Sequence, residues 1–305
     1  MLNKFHKFFI FSFIVVLILL GISLKDNFQG FNAGQTEEIL SNTEVVQPAG
    51  KSFLDVSFLD VGQGDAIYIR TSENQDILID GGPDNRVLEE LGAVMPFWDR
   101  EIDLVVLSHP HADHVAGLVE VLKRYTVKNI YITGILHTAP DYLAFLEEIK
   151  NKKISVMTVD SLSTVDFGND TKLEFIYPDK SFYGDNIENL NNSSIVARLI
   201  YKNRKFLFAG DAESLVEREL LNKSREIESD VLKVSHHGST TSSSEEFIKK
   251  VNPQLAIIEV GKDNKFNHPS LRTLSRFTRL NIPVLRTDLL GRITIVSDGE
   301  NIWQK

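Results

Sequence analysis

Six of the eight histidines fall into three short clusters. The first is Ser108-His109-Pro110-His111-Ala112-Asp113-His114. The second is Ser235-His236-His237-Gly238-Ser239, and the third is Asn267-His268-Pro269-Ser270. The His-x-His-x-Asp-His run sets four metal-type donors within six residues. Imidazole suits zinc, and a carboxylate completes a borderline-to-hard site that also accepts manganese. In a tight loop, alternate residues can face one ion while the adjacent Asp113-His114 pair faces a second. A histidine-rich turn without metal is the plainer alternative, and four such donors at this spacing argue against it. There is no cysteine, so disulfides, thiolate sites, Cys nucleophiles and a lipid-modified Cys are excluded. Any metal must be held by His, Asp, Glu or Asn. His6 and His137 lie outside the clusters and carry no such pattern.

Other residues have plain readings beside the functional ones. Asp211 follows an apolar run and Gly210, where it can supply a ligand or simply cap the next helix. His268 precedes Pro269 and Ser270, a helix-start signal, so it is a ligand or a turn histidine. Asp80 ends an apolar run before Gly81-Gly82. Asp65 lies beside Gly62 and Gly64, which permit close backbone approach, and it can line a site floor. The hydroxyl-rich stretch 240–244 reads as a loop.

These residues need rigid elements to deliver them. Period-two apolar runs predict strands at 53–59, 66–71, 76–80, 104–108, 129–133, 154–159, 172–177, 194–201, 205–209, 231–235, 255–260, 283–286 and 292–296. Helical periodicity covers 86–95, 114–125, 140–151, 213–222, 243–251 and 271–280. The first two histidine clusters thus follow strands directly, as α/β sites commonly do. Early hairpin-like strands followed by strand–helix alternation predict an α/β domain with two sheets covered by helices.

His109-Pro110-His111-Ala112-Asp113-His114 resembles the signature of the metallo-β-lactamase superfamily. Leu78-Ile79-Asp80-Gly81-Gly82 and Phe208-Ala209-Gly210-Asp211 match that family's Asp-Gly and Gly-Asp motifs in the expected order. The finer pattern resembles the extracellular hydrolase domain of ComEC-type competence proteins and stand-alone relatives. It rests on Asp60-Val61-Gly62-Gln63-Gly64-Asp65-Ala66, Asn192-Ser193-Ser194 and Lys233-Val234-Ser235-His236-His237-Gly238-Ser239. The resemblance spans 53–296. It implies an αββα four-layer sandwich and a metal-dependent hydrolase with two divalent ions, Zn2+ or Mn2+. Better-known members carry a ligand His between the first cluster and the bridging Asp. Here that interval holds only His137 and, at the expected place, Asn191 to Ser194. Phosphorylcholine-esterase relatives take this His from after the Asp, which implies His237, with His268 as the last ligand. The implied set is His109, His111 and His237 on one ion and Asp113, His114 and His268 on the other. Asp211 and a hydroxide bridge them. His236 is then a substrate-facing or supporting residue, and whether it or His237 is the ligand stays open. Asp113, Asp211 and His236 are the catalytic candidates. The resemblance also implies that Asp80 orients a ligand His, and that Asn192, Ser193 and Ser194 face the site.

Residues 8–24 form seventeen uncharged, mostly apolar positions preceded by Lys4 and Lys7. This predicts a transmembrane anchor or signal segment, with 1–7 as a cytoplasmic basic flank and the rest outside the cell. Gly21-Ile22-Ser23 is a small-x-small triplet that a signal peptidase could accept; a retained anchor is the preferred reading, with secretion after cleavage as the alternative. Residues 25–51 read as a polar linker and 52–305 as the hydrolase domain. With a single apolar segment, the chain is expected to lack the polytopic channel of ComEC-type proteins, so a direct role in DNA uptake does not follow. The chain's net charge is −9, and residues 1–27, with three Lys and one Asp, account for +2, leaving −11. Such a surface does not attract polyanions non-specifically, so a nucleic-acid substrate would need a local basic stretch or bound metal. The ComEC-like pattern implies phosphodiester hydrolysis, with single-stranded DNA or another phosphodiester as substrate. The alternatives are an ester, lactone or phosphorylcholine hydrolase, and a non-catalytic, metal-stabilised surface binding module.

Overall fold

The computed structural model describes residues 53–183, 185 and 187–305. The proposed flank, apolar segment and linker lie outside the described residues. No described helix is long and apolar enough to cross a membrane.

Two sheets form the frame. The first runs in the order β15-β14-β1-β2-β3-β4-β5-β6. Its strands are β1 (Leu54–Phe58), β2 (Ile67–Arg70), β3 (Asp76–Ile79), β4 (Glu101–Val106), β5 (Thr126–Ile132), β6 (Ser155–Thr158), β14 (Ile293–Ser297) and β15 (Ile302–Gln304). The second runs β13-β12-β11-β10-β9-β8-β7. It is built from β7 (Ser163–Asp166), β8 (Thr171–Tyr177), β9 (Val196–Tyr201), β10 (Arg204–Phe208), β11 (Val231–Lys233), β12 (Leu255–Ile258) and β13 (Val284–Arg286). The helices are α1 (Arg86–Val94), α2 (Ala112–Arg124), α3 (Pro140–Lys152), α4 (Ser214–Asn222), α5 (Glu245–Val251), α6 (Leu271–Arg279) and the single turn α7 (Thr287–Leu290).

Three cores explain the layering. Val56, Phe58, Ile77 and Leu104 of the first sheet meet Phe175, Leu199, Phe206 and Ile257 of the second. The opposite face of the first sheet, with Leu78 and Val105, packs on Leu91, Leu118, Leu122 and Phe145 of α1, α2 and α3. The opposite face of the second, with Leu207, Leu232 and Ala256, packs on Val216, Leu220, Phe247, Ile248 and Phe277 of α4, α5 and α6. A strand with both faces covered needs apolar residues on both, as β12 and the Ile77–Ile79 part of β3 have. The order is therefore helices, sheet, sheet, helices.

Each sheet has a parallel half, β3 to β6 in the first and β10 to β13 in the second. Asp80, the His109–His114 run, Asp211, His236, His237 and His268 follow the C-terminal ends of these strands and Asp65 sits in the β1–β2 loop, so one rim collects them. One close approach sets that rim. Gly117 in α2 lies against the turn after β3, where a Cβ would fall 1.9 Å from the Gly81 carbonyl oxygen. Only glycine lets α2 present its first turn that close to Asp80.

Sequence periodicity located thirteen strands and six helices to within a few residues. It placed one strand at 104–108, whereas β4 covers Glu101–Val106. The edge strand β7 is largely exposed and polar, and β15 is three residues long; neither has the alternation that marks a half-buried strand.

Candidate metal centre

The first cluster leaves β4 and enters α2. His111 occupies the N-cap position, with Asp113 and His114 in the first turn. Asp80, at the end of β3 with φ 59°, organises this loop. Its Oδ1 accepts from the Ser108 backbone N–H (2.7 Å) and its Oδ2 from the Ser108 hydroxyl (2.6 Å). Asp80 Oδ2 also lies 2.8 Å from His114 Nδ1. Burial raises the Asp80 carboxyl, opposed by His114. A proton on His114 Nδ1 satisfies this contact and leaves Nε2 as the free lone pair.

The second cluster follows β11. His236 and His237 are consecutive residues in the left-handed region, at φ 51° and 50°. That conformation costs a side-chain-bearing residue roughly 1–2 kcal/mol, and neighbouring contacts hold it. The His236 backbone N–H donates to the Gly210 carbonyl (3.1 Å), and Ser239 N–H donates to His236 O (2.8 Å). His237 Nδ1 donates to the Glu259 carbonyl (2.9 Å), again leaving Nε2 free.

Four imidazole Nε2 atoms converge on one carboxylate oxygen, Asp211 Oδ2. They belong to His114 at 3.4 Å, His237 at 3.6 Å, and His109 and His236 at 3.9 Å. Asp113 Oδ2 is 3.4 Å from His237 Nε2. Donor atoms of Asp113, His114, Asp211 and His237 all lie within 4.8 Å of one another. Two ligands of one tetrahedral ion, each about 2.1 Å from it, stand roughly 3.4 Å apart. His114 Nε2, His237 Nε2, Asp211 Oδ1 and His268 Nδ1 are buried without a hydrogen-bond partner. Buried polar atoms of this kind are normally satisfied, and a divalent cation satisfies them together. The residues present therefore fit a metal centre.

Electrostatics point the same way. Burial opposes the charge on His237, but Asp211 and Asp65 push its pKa up to about 10. Burial likewise opposes His114, which Asp211, Asp80 and Asp113 push well above the usual histidine range. Asp211 is held well below the carboxylate range against its burial, chiefly by His237 and His114. The carboxylates around these rings therefore favour positive charge at this spot. His109 moves the other way, lowered by burial and then by His114.

Every candidate from the sequence has a definite place. The resemblance implies His237 beside His109 and His111, and His268 beside Asp113 and His114. In the structure His237 Nε2 stands 3.4 Å from Asp113 Oδ2, its ring oriented by the Glu259 carbonyl, and the His268 ring lies 5.5 Å from that of His236. His109 Nε2 and His111 Nδ1 face each other at 2.9 Å. His236 is held from behind by Glu213 (3.4 Å) and Thr241 (3.2 Å) and is 22% exposed, while His109 and His114 are fully buried. Asp113 and His236 thus form the open side. Ser194 Oγ accepts from the Asp211 backbone N–H (3.1 Å) and Asn192 Oδ1 from Glu213 N–H (3.3 Å), so both brace the Asp211 turn. Ser193 Oγ turns back to Leu190 O.

Beneath the cluster lies a group that periodicity did not single out. Lys233 is fully buried, bonds Asp65 Oδ2, donates to Gly210 O (3.2 Å) and stands 4.0 Å from Asp211 Oδ1. Asp65 Oδ1 is 3.2 Å from His237 Nδ1. Burial would raise Asp65, yet Lys233, His237 and His114 hold it below the ordinary range. Burial and Asp65 push Glu259 well up, and its Oε1 accepts from Ala66 N–H (3.0 Å). Asn191, at the place of the absent ligand His, donates through Nδ2 to Glu213 Oε1 (3.1 Å). A lone charge inside an apolar run, as Lys233 and Glu259 each are, was the available signal.

Comparison with known proteins agrees with this frame. Residues 59–261 match the metallo-β-lactamase superfamily. ComE operon protein 3 of Bacillus subtilis is 28% identical over 302 residues, covering 93% of this chain and 38% of that protein. Competence protein ComA of Neisseria gonorrhoeae is 30% identical over 243 residues, covering 78% of this chain and 31% of that protein. The chain thus spans well under half the length of these relatives. CmlA, a diiron β-hydroxylase from Streptomyces venezuelae, superposes with a TM-score of 0.51 at 15% identity, over 81% of this chain and 55% of that one. Igni18, a metallo hydrolase from Ignicoccus hospitalis, gives 0.50 at 14% identity, over 79% and 98%. At such identities these two structures speak for the fold alone. The chain belongs to the metallo-β-lactamase superfamily of metal-dependent hydrolases, with ComEC-type competence proteins among its relatives.

Proposed function

We propose that this chain is a membrane-anchored, extracytoplasmic phosphodiesterase or nuclease. The observation that carries the metal-dependent reading is the convergence of four imidazole Nε2 atoms on Asp211 Oδ2, with Asp113 beside them. The phosphodiester choice rests on similarity to competence proteins, and the anchor on the hydropathy of residues 8–24. His109, His111, Asp113, His114, Asp211, His237 and His268 would hold two divalent ions, Zn2+ or Mn2+, with Asp211 shared. His237 would complete the Asp113–His114 side and His268 would stand with His236 on the other. When bound, such ions lower the pKa of water toward neutrality and polarise a phosphoryl oxygen.

The protein's own groups prepare that chemistry. Asp80 and the Glu259 carbonyl fix the tautomers of His114 and His237, so both present Nε2 inward. Lys233 helps hold Asp65 below the ordinary carboxylate range against its burial, while His237 and His114 do the same for Asp211. His236 reaches the open side with Nδ1 held by Glu213 and Thr241, and its Nε2 would serve the leaving oxygen. The test is hydrolysis of bis-p-nitrophenyl phosphate and single-stranded DNA by the full chain in detergent with added zinc or manganese. Cleavage lost in Asp211→Ala and His111→Ala is the expected result. Two bound metals with no cleavage of either substrate would overturn the phosphodiesterase reading and turn attention to esters and lactones, then to a binding role.

A further inference from the structure

The open side of the centre is bordered by a loop, residues 261–268, whose composition departs from the acidic rest of the chain. Residues 261–279 contain five Lys or Arg and one acidic residue, in a chain with a net charge of −9. Most surface cations of this protein are engaged, as Arg86 is with Asp84, Lys128 with Asp103 and Arg279 with Glu245. Lys262, Lys265 and Arg272 are exposed and make no ion pair or hydrogen bond among the described residues. Between the two lysines and His268 stands Phe266, 65% exposed, its ring stacked on that of His268 with centroids 5.9 Å apart at 21°.

The loop is held in register with the site. Asn264 Oδ1 accepts from the backbone N–H of Phe266 (3.1 Å) and His268 (3.0 Å), and its Nδ2 donates to the carbonyls of Gly261 (3.0 Å) and His268 (2.6 Å). Gly261 N–H donates to Gln63 Oε1 (3.2 Å), and a Cβ at Gly261 would meet the Gln63 backbone nitrogen at 2.6 Å. An apolar ring left in water on a braced loop, flanked by unpaired cations and leaning on a candidate ligand, matches single-strand recognition. Such surfaces combine cations that track phosphates with aromatic rings on which bases stack.

We propose that the 261–268 loop and Arg272 hold a single-stranded nucleic acid at the metal centre, with Lys262, Lys265 and Arg272 on its phosphates and Phe266 under a base. This deepens the phosphodiesterase reading and rests on it. A small ester would have no use for three free cations, and in a chain this acidic a local basic rim beside the metal centre offsets the repulsion of a polyanion.

The test uses the full chain, metal-loaded, in detergent micelles. The probe is a fluorescent phosphorothioate oligothymidylate, which resists cleavage, and binding is read by anisotropy across a salt series. Each phosphate neutralised on a single strand contributes about 0.7 to the slope of log K against log salt. Lys262→Ala with Lys265→Ala should therefore flatten that slope by about 1.4. Phe266→Ala should weaken binding roughly 5- to 150-fold and leave the slope intact. Lys128→Ala, on the remote end of β5, controls for bulk charge. Inorganic polyphosphate serves as a baseless polyanion, whose binding Phe266→Ala should not alter. Loop variants that bind the oligonucleotide like wild type, or a Phe266→Ala loss equal for polyphosphate, would overturn the proposal. The phosphodiesterase reading is scored separately, by wild-type cleavage of bis-p-nitrophenyl phosphate, so the two can fail independently.

Discussion

Replacing Lys233 by Met keeps an apolar stem of similar length and removes the ammonium. The loss can be worked from its surroundings. The group bonds Asp65, donates to the Gly210 carbonyl and stands 4.0 Å from Asp211 Oδ1. Its side chain is 0% exposed and that of Asp65 is 2%, so no solvent screening discounts the pair. At an effective dielectric near 20, unit charges 4 Å apart attract by about 4 kcal/mol. Desolvation of the cation offsets part of this, but removing one partner leaves the other charge buried alone, which costs about 3–5 kcal/mol. Lys233→Met should therefore lower the unfolding free energy by that amount in urea titrations followed by circular dichroism, with EDTA present. Asp65→Asn in the same background should recover much of it, giving a coupling energy of about 2 kcal/mol or more. A single-variant loss below about 1 kcal/mol, or two single losses that simply add, would refute the view that this pair balances the floor of the site.

Two further outcomes follow from the same geometry. His237 is pushed up to about 10, so in the metal-free protein it carries a proton at neutral pH that an incoming ion must displace. Apparent metal affinity should therefore rise with pH up to about 10, roughly tenfold per pH unit for each proton released; calorimetry in buffers of different ionisation enthalpy reads that proton directly, and pH-independent binding would contradict it. Asp80→Ala removes the acceptor beside His114 Nδ1, which should weaken metal binding about 10- to 100-fold in a chelator competition, with unchanged affinity as the contrary result.

What could be read from the chain alone was local. The His109–His114 run announces itself because its donors lie within one loop, and strong apolar periodicity placed β3 and α2 that carry them. Pairings between distant segments were not legible. Nothing near residue 237 says that the carbonyl of Glu259 will turn its ring toward Asp113, and nothing near residue 268 says that its ring will lie beside that of His236. The Lys233–Asp65 pair joins positions 168 apart in sequence; each carries a local signal, but nothing local says that the two meet. The weak strands β7 and β15 escaped because edge strands are held by one neighbour and bury little.

The consecutive left-handed conformations of His236 and His237 bear on any attempt to make this protein hardier. Glycine adopts that backbone without penalty, so a library screened only for survival at elevated temperature would enrich glycine at one or both positions. Those survivors would have traded away the two imidazoles that face Asp211. Resistance to heat and metal occupancy should thus be anticorrelated at this one turn, and a thermal screen of this protein needs a metal-retention count run alongside it.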